Sequence, residues 1–446
     1  MDMNSEAMAC GRMDFLKLAL AGAAVGVVAA EAKAETVIPT PRSDGSKHGL
    51  VGKPMPKWHP GELQVHFIHT GVAESAFWIF PDGTTMLVDC GDHPAINRGK
   101  YAVQVLPGGN RYAGEWIARY VRRVNPNDDK VDYMSVTHYH ADHSGMIGWG
   151  AGTFDWNGKT LWKSGFLLAA QQLKFGVALD RCYPRLDDPI PIKYSTTKPE
   201  TIAHIRNTYE YLAAVQGTKI ERFEVGSESQ IRLQRDPAKY PDFKVTNVCG
   251  SGLIRTRDGK VRDLFEKHHD ATWMDENGAS TGFIAGYGAF RIFSAGDYAG
   301  EFKRKDGVRV QLEAELAKEI DGVDVAKIGH HGYFSSHPAF VKAASPGVWV
   351  NCVWDQLHGT EWTMKYLADR KIYPGDRLIV PTVYPAERVL ADAAQPWMPD
   401  IAPESFRGCH VVVTVPPGGA SYTVACLDAS DEKMNVVGAY DFKSHG

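Results

Sequence analysis

The sequence is short of several things, and each shortage removes a class of protein. It has 7 cysteines in 446 residues and no CxxC pair, so it encodes neither a thiolate zinc site nor a dense disulfide framework. No apolar run away from the N-terminus approaches the roughly 20 residues that span a bilayer. Neither sign of charge dominates: Lys+Arg 49 against Asp+Glu 53 leaves a net charge of -4, whereas a general polyanion binder is basic. A GxSxG elbow and a glycine-rich phosphate loop are both missing, which argues against a serine hydrolase and against nucleotide-driven chemistry. Low-complexity tracts, heptads and internal repeats are missing too, excluding disorder, coiled coil and solenoid. What remains, at 44% hydrophobic and 23% charged, is the composition of an ordinary folded protein.

Residues 1–34 read as an export signal peptide. Arg12 and Lys17 precede an apolar stretch from Leu18 to Ala30, and Ala32-Lys33-Ala34 fits small-x-small cleavage. The stretch from Arg12 to Lys17 resembles a twin-arginine motif with Met13 where the second Arg belongs, so the twin-arginine and general secretory routes both stay open. The expected location is periplasmic or secreted, with no stable membrane span after cleavage; an uncleaved N-terminal anchor is the alternative. The mature chain keeps Cys90, Cys182, Cys249, Cys352, Cys409 and Cys426, whose wide spacing suits buried free thiols as well as disulfides.

Residues 35–60, with Pro39, Pro41, Pro54, Pro56 and Pro60, read as a linker or surface arm, and 61–446 as one domain. Strand patterns fall at 63–68, 75–80, 84–89, 131–137, 243–248, 282–287, 290–295, 324–329, 347–353, 377–383, 410–415 and 421–426. Helical patterns fall near 111–123, 161–175, 198–215, 338–344 and 360–370. This mixture predicts an α/β (α+β) protein with sheets covered by helices. Residues 151–240, rich in aromatics and broken by prolines, read as an insertion. Its aromatics are expected to form either a satellite core or part of a substrate site, including a cage for a quaternary ammonium.

Histidine is well represented, 17 in all, and the histidines cluster. Thr137-His138-Tyr139-His140-Ala141-Asp142-His143 follows a strand directly. In extended chain His138, His140 and Asp142 share one side, and a turn into helix brings in His143. Imidazole with carboxylate suits zinc and similar first-row metals. Two later strands end in Gly296-Asp297 and in His330-His331-Gly332. Adjacent histidines point apart, so one of the pair is expected to ligate and the other to contact substrate or orient a ligand.

HxHxDH, a strand ending in Gly-Asp and a later strand ending in His-His-Gly together resemble the motifs of the metallo-β-lactamase fold superfamily. The wording is most similar to the branch holding the soluble domain of ComEC-type competence proteins and the phosphorylcholine esterases. The opening hairpin ending MLVDCGDH (86–93) and Asn277-Gly278-Ala279-Ser280 support it. The resemblance covers roughly 62–150 and 270–385. It implies a four-layer αββα sandwich with two divalent ions, expected to be zinc, at one sheet edge. One ion would take His138 and His140, the other Asp142, His143 and His330, with Asp297 bridging. Asp89 would support the ligands from behind. His268 and His269 stand where many relatives supply a further ligand, and are left outside the set. Asp142, His331 and His358 are the groups expected to act on substrate. The sequence departs from the branch at Gly71-Val72-Ala73-Glu74-Ser75, where a GQGD turn stands in relatives, and at Tyr333.

The implied activity is that of an exported hydrolase using a metal-bridging hydroxide. The expected substrate is a phosphoester or phosphodiester, in the form of a small molecule. Nucleic acid is the less favoured substrate, for Arg119/Arg122/Arg123 and Lys303/Arg304/Lys305/Arg309 read as solvated faces. The alternatives are a lactam, lactone or other ester on the same metals, or a non-catalytic binding protein.

Overall fold

A computed structural model describes residues 44–94, 103–186, 188, 197–269 and 274–445. The expected export segment 1–34 and the arm up to residue 43 lie outside the described residues. Strand β1 (Leu63–Phe67) shows how the sheets are built. Leu63, Val65 and Phe67 alternate into one core while Gln64 and His66 face the other way, and all are buried. A strand buried on both faces needs a layer on each side. Strands β2 (Ala76–Ile79) and β3 (Thr85–Val88) continue β1 antiparallel. The helix Ala113–Val124 then crosses over to β4 (Lys130–Val136), which lies parallel to β3.

A small hairpin follows, β5 (Thr153–Trp156) with β6 (Lys159–Trp162), and then β7 (Lys174–Asp180) and β8 (Lys219–Arg222). The second half begins with β9 (Phe243–Gly250), β10 (Leu253–Arg255) and β11 (Val261–Asp263). It continues through β12 (Gly282–Tyr287), β13 (Phe290–Ala295) and a hairpin of β14 (Glu301–Lys303) and β15 (Arg309–Gln311). Parallel strands β16 (Val325–Lys327), β17 (Val348–Asn351) and β18 (Leu378–Pro381) come next. The chain returns with β19 (Cys409–Val415), β20 (Ser421–Asp428) and β21 (Val436–Lys443). One sheet has the order β21-β20-β19-β1-β2-β3-β4-β7-β8, the other β11-β10-β9-β12-β13-β16-β17-β18.

The two sheets face each other across a core that includes Val65, Trp78, Phe283, Val348 and Val413. Trp78 and Phe283 span it, their ring centroids 5.1 Å apart. Helices Ala113–Val124 and Pro199–Gln216 cover the outer face of the first sheet through Ile117, Val121, Ile202 and Leu212. Helices Pro338–Ala344 and Glu361–Ala368 cover the second through Phe340, Val341, Met364 and Leu367. The architecture is an αββα sandwich.

Residues 151–240, read from sequence as an insertion, hold part of the frame itself. β7 pairs parallel with β4, and β8 with β7, at the edge of the first sheet. The pattern of β7 was hidden because Gly176 interrupts its apolar run; glycine in a strand weakens the strand signal and marks a close approach. Asp132 O lies 2.8 Å from where its Cβ would stand. The aromatics there pack on one another, Phe154 and Trp156 on Tyr211 and Phe166 on Phe175. Phe166, Phe175 and Tyr209 belong to the core under the outer helices. The described part of the arm is pinned, with Gly52 N donating to Val436 O and Met55 N to Met434 O. All six described cysteines are buried free thiols. No described helix is long and apolar enough to cross a membrane.

His66, buried between β1 and the covering helix, is 3.1 Å from Tyr120 Oη and 3.2 Å from Gln64 Oε1. Burial lowers the pKa of His66 to about 3 and that of His69 to about 4. Unfolded histidine titrates near 6.5, so their contribution to stability is intact above that pH and is lost as pH falls towards 4 and then 3. Each contributes a slope of about 1.4 kcal/mol per pH unit in that window. Urea midpoints at pH 7.5, 5.5 and 4.5, measured in chelator, should fall, and fall less in His66→Gln. An equal fall in that variant would contradict the assignment.

Candidate metal centre

Parallel strands deliver their C-terminal ends to one edge, and open α/β sheets bind ligands there. β3 ends at Asp89, β4 at Thr137-His138, β13 at Gly296-Asp297, β16 just before His330-His331 and β17 before Cys352. After β4 the chain stays extended through His140 and then turns into the short helix Ala141–Ser144, which presents His143. Two glycines allow the strands to close on one point. A Cβ on Gly91 would lie 1.8 Å from Asp142 O, and one on Gly296 2.2 Å from Thr137 Oγ1.

Two groups of ligand atoms result. His138, His140 and Asp297 bring one atom each within 4.8 Å of one another, and so do Glu74, His143, Asp297 and His331. Asp297 is common to both.

The tautomers in the second group are fixed from behind. His143 Nδ1 stands 2.8 Å from Asp89 Oδ2, a carboxylate that also accepts from Thr137 N and Thr137 Oγ1. His331 Nδ1 is 2.7 Å from Cys352 O, and a carbonyl can only accept, so Nδ1 carries the proton. In the neutral rings both Nε2 lone pairs then face each other across 3.3 Å, with the Trp354 indole nitrogen 3.3 Å from Nε2 of His331. Asp142 Oδ2 lies 2.9 Å from His331 Nε2, and Asp297 Oδ2 lies 3.3 Å from His143 Nε2 and 3.4 Å from His331 Nε2. These acceptors outnumber the donor that reaches them, the Trp354 indole N–H, and such a set suits a cation at its centre. Two buried atoms without partners extend the argument, His138 Nε2 and Asp297 Oδ1.

Electrostatics agree. Glu74, Asp89, Asp142 and Asp297 are all buried here, against one buried ammonium, Lys327. Burial opposes charge on His143 and His331, yet the carboxylates, Asp297 foremost, hold both well above the usual imidazole range. Burial likewise opposes charge on Asp142 and Asp297, but His143 and His331 hold both well below the carboxylate range. The set draws positive charge to itself, and bound cations satisfy that demand in place of protons. His138, by contrast, is driven well below its ordinary value by burial, then by His143 and His140, so its imidazole is neutral and free to ligate.

Glu74 meets His331 from the far side, Oε2 to Nδ1 at 3.3 Å, and pairs with Lys327 at 2.9 Å. This geometry makes Glu74 a carboxylate that positions His331 and leaves the ligand place to Asp142. Lys327 Nζ also donates to Gly296 O, fixing the backbone ahead of Asp297. Glu74, Lys327 and Trp354 were missed from the sequence. Their signals were the GVAES departure and a lysine inside the apolar strand DVAKIG. Trp354 Nε1 donates to Asp142 Oδ2 at 3.0 Å.

His138, His140, Asp142, His143, Asp297 and His331 thus come together. His330, expected as the ligand of the pair, does not join them. The backbone at His330 and His331 is left-handed, φ 45° and 50°, and this swings consecutive imidazoles apart. His330 Nε2 meets Asn277 Nδ2 at 3.1 Å instead, and His331, expected to contact substrate, takes the place in the cluster. His358 stacks on His331, centroids 4.5 Å apart and planes at 15°. Its Nδ1 accepts from Trp354 N and Asp355 N, so its proton sits on Nε2, and burial holds it neutral. His268 and His269 pair with Asp306 and Asp263 and lie in neither group.

Residues 69–190 match the family model for the metallo-beta-lactamase superfamily. Glu74, Asp89 and the His138–His143 segment fall inside the matched residues; Asp297, His331 and His358 are brought to them by the second sheet. No curated protein matches the chain. The superfamily domain and the clustered ligands identify a metal-dependent hydrolase.

The two histidines of the His-His-Gly turn separate the ligand from its neighbour. His331→Ala is expected to lower metal affinity at least tenfold, while His330→Ala keeps it within about threefold, by competition with a chromophoric chelator. The reverse order would contradict the placement.

Proposed function

We propose that this chain is an exported hydrolase of small phosphoesters or phosphodiesters, with two divalent ions, zinc by preference, sharing Asp297. The observation that carries the reading is the pair of ligand groups joined at that carboxylate. The donors are imidazole and carboxylate throughout, a set suited to zinc and similar first-row ions. When bound, such ions act as Lewis acids and bring the pKa of water down to about 7.

The chain's own residues then have defined tasks. Asp89 and the Cys352 carbonyl hold the Nδ1 protons of His143 and His331 and aim both Nε2 atoms inward. Trp354 orients Asp142 through its indole N–H. His358 carries its proton on Nε2 and stacks against His331, which suits it to donate to a leaving group. Among the described residues near the centre, burial pushes the thiols of Cys90, Cys249 and Cys352 upwards, which makes them poor nucleophiles.

Phosphoesters are favoured by the likeness of the motifs to the phosphorylcholine esterases. A small substrate is favoured over nucleic acid because four of the seven basic residues in those stretches are already paired. Arg119 and Arg123 bind Glu432, Arg304 binds Asp306 and Glu266, and Arg309 binds Glu301. An apolar cleft beside Trp354 favours a lactone or other carboxylic ester as the second reading. The N-terminal segment supports export to the periplasm or beyond.

Metal analysis of the isolated protein is expected to give two ions per chain, and fewer than two in Asp297→Ala; full occupancy of both sites in that variant would refute the shared carboxylate. On chromogenic substrates, bis-nitrophenyl phosphate should be hydrolysed and a lactam or lactone should not. The opposite pattern would establish the second reading.

A further inference from the structure

The metal centre occupies one side of the Trp354 indole. Its N–H edge meets Asp142 Oδ2, and the same side chain lines a cleft of about 320 Å³. That volume lies at the lower end of small-molecule sites, which run from about 300 to 1,000 Å³. Val103, Leu106, Val383 and Pro385 supply its aliphatic wall, with His69, Gly71 and Gln104 beside them. The charged side chains lining it are the carboxylates Asp355 and Glu387, with neither lysine nor arginine. An anionic group is therefore repelled from the cleft and retained at the metal side. Gln356, also in the lining, has its Oε1 buried without a hydrogen-bond partner. Beside Gln356, Leu357 is 49% exposed, and in the helix that follows Pro385, Leu390 is 64% exposed. The segments are tied to the centre, as Gly359 N donates to His331 O and Arg388 Nη1 donates to His358 O.

We infer that this cleft receives an uncharged, apolar group of the substrate, an alkyl, acyl or aryl substituent, while its hydrolysed end lies across Trp354 at the metals. The inference rests on the hydrolase reading and narrows its substrate class. Trp354 is then the wall shared by reaction centre and specificity cleft. Val383 sets the depth available to the substituent.

The test is calorimetric binding of methyl-, butyl- and hexylphosphonate to the zinc-loaded protein. Affinity should rise about fourfold per added methylene until the cleft is filled. In Val383→Trp, which fills the cleft, and in Val103→Asp, which charges it, the gain from methyl to hexyl should fall at least tenfold. Comparing ligands within one variant cancels any loss common to all of them, and metal content confirms that each variant is folded. Equal affinities for the three phosphonates, or the same gain in both variants, would overturn the inference. A chain-length gain with no turnover of alkyl nitrophenyl phosphates would leave the cleft standing and refute the phosphoester reading alone.

Discussion

Two imidazole lone pairs held face to face, in a pocket that already contains buried carboxylates, form the constraint around which this molecule is organised. His143 and His331 cannot turn their protons towards each other, because Asp89 and the Cys352 carbonyl hold them at Nδ1. Asp142 and Asp297 add further acceptors at the same point. Buried charge without compensation is expensive, so such a set persists only where cations or protons reside with it. Most of the polar groups nearby are arranged to keep that demand in place.

The fold meets the constraint by bringing strand ends from both sheets to one edge. The first sheet carries Asp89 and the His138–His143 segment, the second carries Asp297 and His331. Lys327 joins the halves, reaching from β16 to Glu74 on the loop between β1 and β2 and to Gly296 at the end of β13. Close backbone approach at Gly91 and Gly296 leaves no room for a side chain. The left-handed backbone at Asp89, His330 and His331 concentrates strain where side chains must be aimed, a cost that packing elsewhere offsets.

Much of this was legible in the residues. Period-two runs such as LQVHFI and FRIFSA became β1 and β13 because both faces of each are apolar or covered. HxHxDH announced its chemistry because extended chain followed by a helical turn is a local matter. What failed was non-local. The side chains of His330 and His331 are distinguished by backbone torsion and by Cys352, 21 residues beyond His331. Glu74 matters through Lys327 and His331, which both come from the other half of the sandwich. β7 and β8 were lost in a segment read as an insertion, because Gly176 breaks the apolar run that makes β7 part of the frame.

What occupies the point between the two Nε2 atoms decides whether this cluster is a metal centre. Anomalous diffraction from zinc-loaded crystals would locate it directly. One peak is predicted among His143, His331, Asp142 and Asp297, and a second among His138, His140 and Asp297. Metal bound instead through His330, or absent from the space between His143 and His331, would contradict the account.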